Sequence, residues 1–182
     1  MALKIIYFVH GTTTDNEAGI ASGWSDVDLS PLGVQQSKDL PKLNTDKFDV
    51  VFCSDLRRAI HSAELSFKDK FPIIQDSRLR ECNYGDLNGK DGKIVEETEI
   101  DAIENGFPNG ESYQDVEARM RDFLEEIKKK YDSKHIAIVA HKAPQLALDV
   151  ILKNKTWLEA FVSDWRKVGH WQPGWEYKIL KR

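Results

Sequence analysis

The chain has 182 residues, 41% of them hydrophobic, enough for the core of one globular domain over 1–182. Lysine and arginine number 26 against 30 acidic residues, and the net charge of −4 argues against nucleic acid or an anionic membrane surface as the main partner. No apolar run approaches the roughly 20 residues of a membrane span. The opening Met1-Ala2-Leu3-Lys4 lacks the apolar stretch of a signal peptide. Cys53 and Cys82 form neither a Cys-x-x-Cys pair nor a disulfide framework, so a reducing, cytoplasmic setting is expected.

Lys4-Ile5-Ile6-Tyr7-Phe8-Val9 is β-branched and aromatic without polar alternation, the pattern of a strand covered on both faces. Ser30-Pro31 opens a helix to about Leu40, serine as cap and proline in the first turn. Asp49-Val50-Val51-Phe52-Cys53 reads as a second buried strand, and Ser54 or Asp55 as the cap of a helix to about Leu65. Residues 83–111, rich in Gly, Asn, Asp and Glu, leave the sheet as a lid or small subdomain. From Ser112, with Asp115 completing a capping-box-like start, Val116, Met120, Phe123, Leu124 and Ile127 form one apolar helical stripe. His135-Ile136-Ala137-Ile138-Val139-Ala140 is a third buried strand; a helix follows Pro144, and Thr156 caps a short one. Trp175, Tyr177 and Ile179 alternate with polar neighbours as a half-exposed closing strand. Trp165, Trp171 and Trp175, with His170, read either as an aromatic wall or homodimer patch or, preferably, as the edge of the core. Buried strands alternating with helices predict an α/β fold with a mostly parallel sheet.

Open sheets of this class bind ligands beyond the carboxyl ends of their strands. Here those ends carry Val9-His10-Gly11, Cys53-Ser54-Asp55 and Ala140-His141. Two histidines in matching positions can act as nucleophile and electrostatic partner, as general acid and base, or as metal ligands. The adjacent Arg57-Arg58 pair opposes the helix dipole and suits an anion such as phosphate, although one of the two must point away.

Six stretches, in order, resemble the histidine phosphatase superfamily, or phosphoglycerate-mutase-like family. They are Val9-His10-Gly11-Thr12-Thr13-Thr14-Asp15-Asn16; Gly23-Trp24-Ser25-Asp26 with Leu29-Ser30-Pro31-Leu32-Gly33; Ser54-Asp55-Leu56-Arg57-Arg58-Ala59; Leu79-Arg80-Glu81; Gly110-Glu111-Ser112; and Ile138-Val139-Ala140-His141. The resemblance implies a three-layer α/β/α sandwich and a metal-independent, cofactor-free phosphohydrolase acting on a small phosphate ester through a phosphohistidine. It implies His10 as nucleophile, Arg58 and His141 as phosphoryl-holding groups and Glu81 as general acid and then base. Asn16, Ser22, Gly23 and position 9 would touch the substrate. A mutase of the phosphoglycerate type and a catalytically silent phosphate binder are the alternatives; such mutases tend to be longer, which favours hydrolysis.

The departure lies at Val9, where the family pattern has arginine. Losing one charge-assisted contact to a buried phosphoryl group costs about 2–4 kcal/mol, roughly 30- to 1000-fold in rate. Arg57 and Lys142 are the nearest substitute cations by sequence, and both are expected to be solvated. A thiolate phosphatase needs Cys-x5-Arg, and the sixth residues after Cys53 and Cys82 are Ala59 and Asn88. His61 and His135 read as surface or helix-face residues.

Overall fold

In the computed structural model, which describes residues 2–169 and 172–180, the three apolar runs become neighbouring strands. The elements in chain order are β1 (Leu3–Val9), α1 (Thr14–Ala18), β2 (Ile20–Ala21), α2 (Pro31–Leu43), β3 (Val50–Cys53), α3 (Arg57–Phe67), β4 (Ile73–Gln75), β5 (Lys90–Asp91), α4 (Gly92–Thr98), α5 (Tyr113–Lys130), β6 (His135–Ala140), α6 (Lys142–Lys153), α7 (Trp157–Val162), α8 (Trp165–Val168) and β7 (Trp175–Ile179). The main sheet runs β4-β3-β6-β1-β7; its first four strands are parallel and β7 is antiparallel to β1.

Side-chain alternation splits this sheet into two apolar faces. Ile5, Tyr7, Val50, Phe52, Ile136 and Ile138 face the layer that contains α5, α6 and α7. Ile6, Phe8, Val51, Ala137 and Val139 face the other, closed by Ala63 and Phe67 of α3 and by Phe48. Because both faces are covered, the strands carry no polar alternation, which made them legible in sequence.

The register fixes where the chemistry can be. Val9 lies opposite Ala140 and Cys53 opposite Val139, so three strands end at one level. The His10 N–H then bonds the Ala140 carbonyl at 3.0 Å and the Ser54 N–H the Val139 carbonyl at 3.2 Å, which brings His10, Ser54 and His141 to one rim.

Several boundaries move from their expected places, each for a visible reason. The helix expected to be capped by Ser54 or Asp55 starts at Arg57, with no side-chain cap. Asp55 is taken by a two-pronged ion pair with Arg80, 2.7 Å at both oxygens, while the Ser54 hydroxyl accepts the Leu56 N–H. Helix α6 begins at Lys142 rather than after Pro144; the proline occupies the first turn, where its missing N–H has no helical partner to lose. Helix α2 passes through Pro41 to Leu43. Proline at 41 leaves the Ser37 carbonyl without its helical donor, and the Ser66 hydroxyl of α3 donates to it at 2.7 Å. The edge strand β4 was not apparent in the sequence. The Ser112–Asp115 capping box forms as read, and Thr156 caps α7 as expected, with Glu159 completing a second box.

The excursion at 83–111 folds back on the sheet. Strand β5 pairs with β2, and Tyr84, Val95, Ala102 and Phe107 enter the same core as Tyr113 of α5. At the far end Trp165 stacks on Trp175 with centroids 5.6 Å apart, and Trp175 is buried against the core. His170 and Trp171 lie outside the described residues. No helix among the described residues is long and apolar enough to cross a membrane.

The repair at Pro41 is open to test. Ser66→Ala strands a buried carbonyl, and the expected cost is about 1–3 kcal/mol. In urea unfolding this reads as a lower midpoint at unchanged slope.

Candidate active site

His10 sits at the carboxyl end of β1, partly buried, with Nδ1 2.7 Å from the Gly11 carbonyl oxygen. A carbonyl can only accept, so Nδ1 carries the proton and Nε2 keeps its lone pair. The loop after it runs against α2 so closely that a Cβ on Gly11 would stand 2.4 Å from the Gly33 carbonyl oxygen. Burial, then the Arg58 charge, hold the His10 pKa down at about 3, so the imidazole is neutral across the physiological range.

His141 lies at the end of β6, fully buried, its ring 5.0 Å from that of His10. Among the described residues neither of its ring nitrogens has a hydrogen-bond partner. Burial first, then Arg58 and His10, keep its pKa well below the ordinary value. Its backbone is clamped by Tyr7 of β1, whose hydroxyl donates to the His141 carbonyl at 2.6 Å and accepts the His141 N–H at 2.9 Å. That clamp, unforeseen in sequence, ties one histidine to the strand that carries the other.

Arg58 is 2% exposed. Its guanidinium donates to the carbonyls of Gly23 at 2.7 Å and Ser25 at 3.0 Å, and among the described residues it makes no ion pair. Burial lowers its pKa, with Glu81 opposing. Gly23 is held at φ +51°, and a Cβ there would meet Asn88 Oδ1 at 1.8 Å. The excursion thus reaches the arginine through Asn88, which also accepts the Trp24 and Tyr84 N–H groups.

Glu81 is nearly buried and accepts three backbone N–H groups, from Cys82, Lys142 and Ala143, at 2.9, 3.1 and 2.9 Å. It therefore caps α6, the helix that starts after His141, where the helix dipole favours an anion. Its own carbonyl is held by Trp24 Nε1 at 2.7 Å and Arg119 at 3.0 Å. Asn16 spends its side-chain oxygen on the Thr13 N–H, completing the cap of α1, so its NH₂ is the end free to donate. Ser22 donates to Asp15 at 2.8 Å.

All eight sequence-derived positions line one cavity of about 390 Å³: Val9, His10, Asn16, Ser22, Gly23, Arg58, Glu81 and His141. Val9 brings a half-buried aliphatic wall and no hydrogen bond. The family model described as histidine phosphatase superfamily (branch 1) matches residues 6–173. The chain belongs to that superfamily. It is 33% identical over 151 residues to a Hydrogenobacter thermophilus protein named "Putative phosphoserine phosphatase 2", covering 76% of this chain and 73% of that one. It is 39% identical over 95 residues to the 2,3-bisphosphoglycerate-dependent phosphoglycerate mutase of Streptococcus uberis, 48% of this chain but only 41% of the mutase. The α-ribazole phosphatase of Shigella flexneri superposes with a TM-score of 0.77 at 26% identity, over 88% of this chain and 84% of that one. As in these histidine phosphatase relatives, the fold is α/β with a mixed, mostly parallel central sheet.

The structure corrects one expectation about cations and adds to the site. Arg57 is exposed, its guanidinium 3.8 Å from Asp26. Lys142 is not solvated: its Nζ lies 2.8 Å from the buried Glu99, at the cavity wall. Trp165 and Arg166 of α8, and Tyr84, Gly92, Val95 and Glu96 of the excursion, also line the cavity. No local motif marks them; only the chain's return path brings them there. Cys53 is buried with its thiol pushed up to about 12, far from thiolate chemistry. His61 pairs with Asp28 at 2.7 Å near the surface.

Both cavity imidazoles titrate below their unfolded value. Below about pH 6.5 the unfolded chain gains protons that the folded one refuses, so both groups lower stability as pH falls below 6.5; for His10 the loss continues towards its folded value of about 3, by up to about 1.4 kcal/mol per pH unit. Thermal melts between pH 7 and 5 check this: His10→Gln is expected to lose less melting temperature over that interval than the parent chain.

Proposed function

We propose that this protein hydrolyses small phosphate monoesters through a phosphorylated His10. The observation that carries the reading is Arg58, a buried guanidinium that makes no ion pair among the described residues, in the same cavity as the unprotonated Nε2 of His10. A buried cation without a counter-ion is costly, and a phosphoryl dianion between it and the two imidazoles removes that cost.

In the first half-reaction His10 Nε2 attacks phosphorus in line, the N–P bond forms, and the ester P–O bond breaks. Arg58 donates to the equatorial oxygens, and His141, neutral and without a ring hydrogen bond among the described residues, donates through a ring N–H. Glu81 enters this step protonated, gives that proton to the departing alkoxide and is left as the carboxylate. In the second, Glu81 takes a proton from water, whose oxygen attacks phosphorus and releases phosphate from His10. The Gly11 carbonyl keeps Nδ1–H in place throughout, so the nucleophile returns in the tautomer it started from. Walls supplied by the 16–23 segment and by the excursion, among them Ile20, Val95 and Glu96, surround the alcohol half of the substrate and set its shape. Hydrolysis is preferred to the mutase reaction because the relative matched along most of this chain, 76% of it, carries a phosphatase name, whereas the mutase match extends over 48% of it.

Two measurements test the reading. Hydrolysis of p-nitrophenyl phosphate is expected in EDTA, with an acid-labile phosphoenzyme trapped by rapid quench; His10→Ala should abolish that adduct, and labelling that survives the change removes His10 from its role. Glu81→Gln is expected to slow hydrolysis of an alkyl phosphate by 10²–10⁴-fold and that of p-nitrophenyl phosphate much less, because nitrophenolate leaves without a proton. Equal losses on both substrates would show that Glu81 acts through α6 alone.

A further inference from the structure

One charged group in the cavity has no task in this scheme. Arg166, on α8, lines the same hollow as His10, Arg58 and His141. Its guanidinium is anchored along one edge: Nη1 is 2.8 Å from Asp164 Oδ1, and the Gln145 side-chain oxygen stands 3.4–3.5 Å from the two Nη atoms. Its plane rests over the Trp165 ring, 4.6 Å from the centroid. Asp164 and Gln145 are almost fully buried, so the anchor is rigid, while the Arg166 side chain keeps 27% exposure. Its Nε has no protein partner among the described residues.

Charge counting points the same way. A phosphoryl dianion between Arg58 and two neutral imidazoles meets a single positive charge, and Val9 adds none. Lys142 is committed to Glu99, which also holds Lys167. Asp164 contacts Lys142 at 3.9 Å besides Arg166. The cluster of Lys142, Arg166 and Lys167 against Glu99 and Asp164 therefore holds three cations and two carboxylates, an excess of one positive charge beside the cavity. Val9 and Trp165 also share the wall of an adjoining apolar hollow of about 660 Å³, which places α8 on the Val9 side of the site. The Arg166 charge lies near enough to disfavour protonation of both His10 and His141.

We infer that Arg166 is a second phosphoryl-gripping catalytic residue, brought by α8 to the side of the site that Val9 leaves without a donor. The inference rests on the hydrolase reading, and the experiment separates the two. Arg166→Met keeps length and the apolar stack but removes the charge; Arg166→Lys keeps the charge but not the fork; Arg57→Ala, on the exposed neighbour of Arg58, is the control. Each is measured for kcat/KM on p-nitrophenyl phosphate and for inorganic phosphate affinity by calorimetry.

Arg166→Met is expected to lower kcat/KM by about 30-fold or more and phosphate affinity about tenfold or more, with Arg57→Ala within twofold of the parent. Values within threefold of the parent in both readouts would overturn the inference. If the methionine variant does not fold, Arg166→Lys decides: phosphate affinity held within about threefold with kcat/KM lowered fivefold or more supports the fork, and an unchanged kcat/KM sinks it. Val9→Arg should raise activity at least fivefold more in the Arg166→Met background than in the parent, and equal gains would show that the two positions do not share a place. A parent that binds phosphate through Arg166 without turnover removes the hydrolase reading and leaves Arg166 as an anion ligand. A parent that neither binds nor hydrolyses removes both.

Discussion

Arg58 is the point from which the rest of the site can be understood. A guanidinium removed from water loses its hydration, and here, among the described residues, its hydrogen bonds go to two carbonyls and it makes no ion pair. That deficit is tolerable because the surrounding structure is over-determined. The 22–25 loop that supplies the carbonyls is itself held by Asn88 and by Trp24, whose ring sits under Arg80 at 4.7 Å. Arg80 in turn engages Asp55, one turn before Arg58. The contacts close a circuit from the strand end, through the excursion, and back to the helix that carries the buried charge. An apolar core alone would not hold such a charge; the circuit does, and it leaves the donors of Arg58 beside the two imidazoles.

The same economy governs the acid side. Glu81 satisfies the first amides of α6 while lining the cavity, so the group proposed to move protons is also the group that starts the helix after His141. Tyr7 links His141 to β1 by two hydrogen bonds, and the parallel register links β1 to β6. His10, His141 and Glu81 are thereby set by one rigid corner of the sheet rather than by three independent loops. Such preorganisation is what electrostatic stabilisation of a phosphoryl transition state requires, because dipoles already in place need no reorganisation when charge develops.

The two cations next to each other in sequence, Arg57 and Arg58, show how local pattern and tertiary placement divide the labour. Spacing alone says that one of them must point away. The structure sends Arg57 to the surface beside Asp26 and draws Arg58 inward, because α3 packs its Ala59, Ser62 and Ala63 side against the sheet and α2. Lys142 shows the reverse case. Its position after the second histidine suggested a solvated side chain, but Glu99 arrives from the excursion and holds it at the cavity wall. A buried carboxylate from 43 residues upstream is invisible to any reading of neighbours in sequence.

What the chain's order alone determined is what short-range physics controls. Doubly covered strands announce themselves by unbroken β-branched and aromatic runs, capping boxes by a serine or threonine three residues ahead of an acid, and the two strand-end histidines by their place after such runs. Those features located the sheet, most helices and, of the eight cavity positions, His10 and His141; the Arg57-Arg58 pair offered an anion-binding cation, and the choice of Arg58, with Val9, Asn16, Ser22, Gly23 and Glu81, came from the resemblance to the superfamily. Tertiary structure decided everything that depends on pairs distant along the chain: the start of α3, set by Asp55 turning to Arg80; the passage of α2 through Pro41, made possible by Ser66; the clamp of Tyr7 on His141; and the arrival of Arg166 at the cavity of the two histidines. Each is a contact between residues 20 or more positions apart, where no periodicity or local spacing carries the information, and only packing of the finished fold brings the partners within reach.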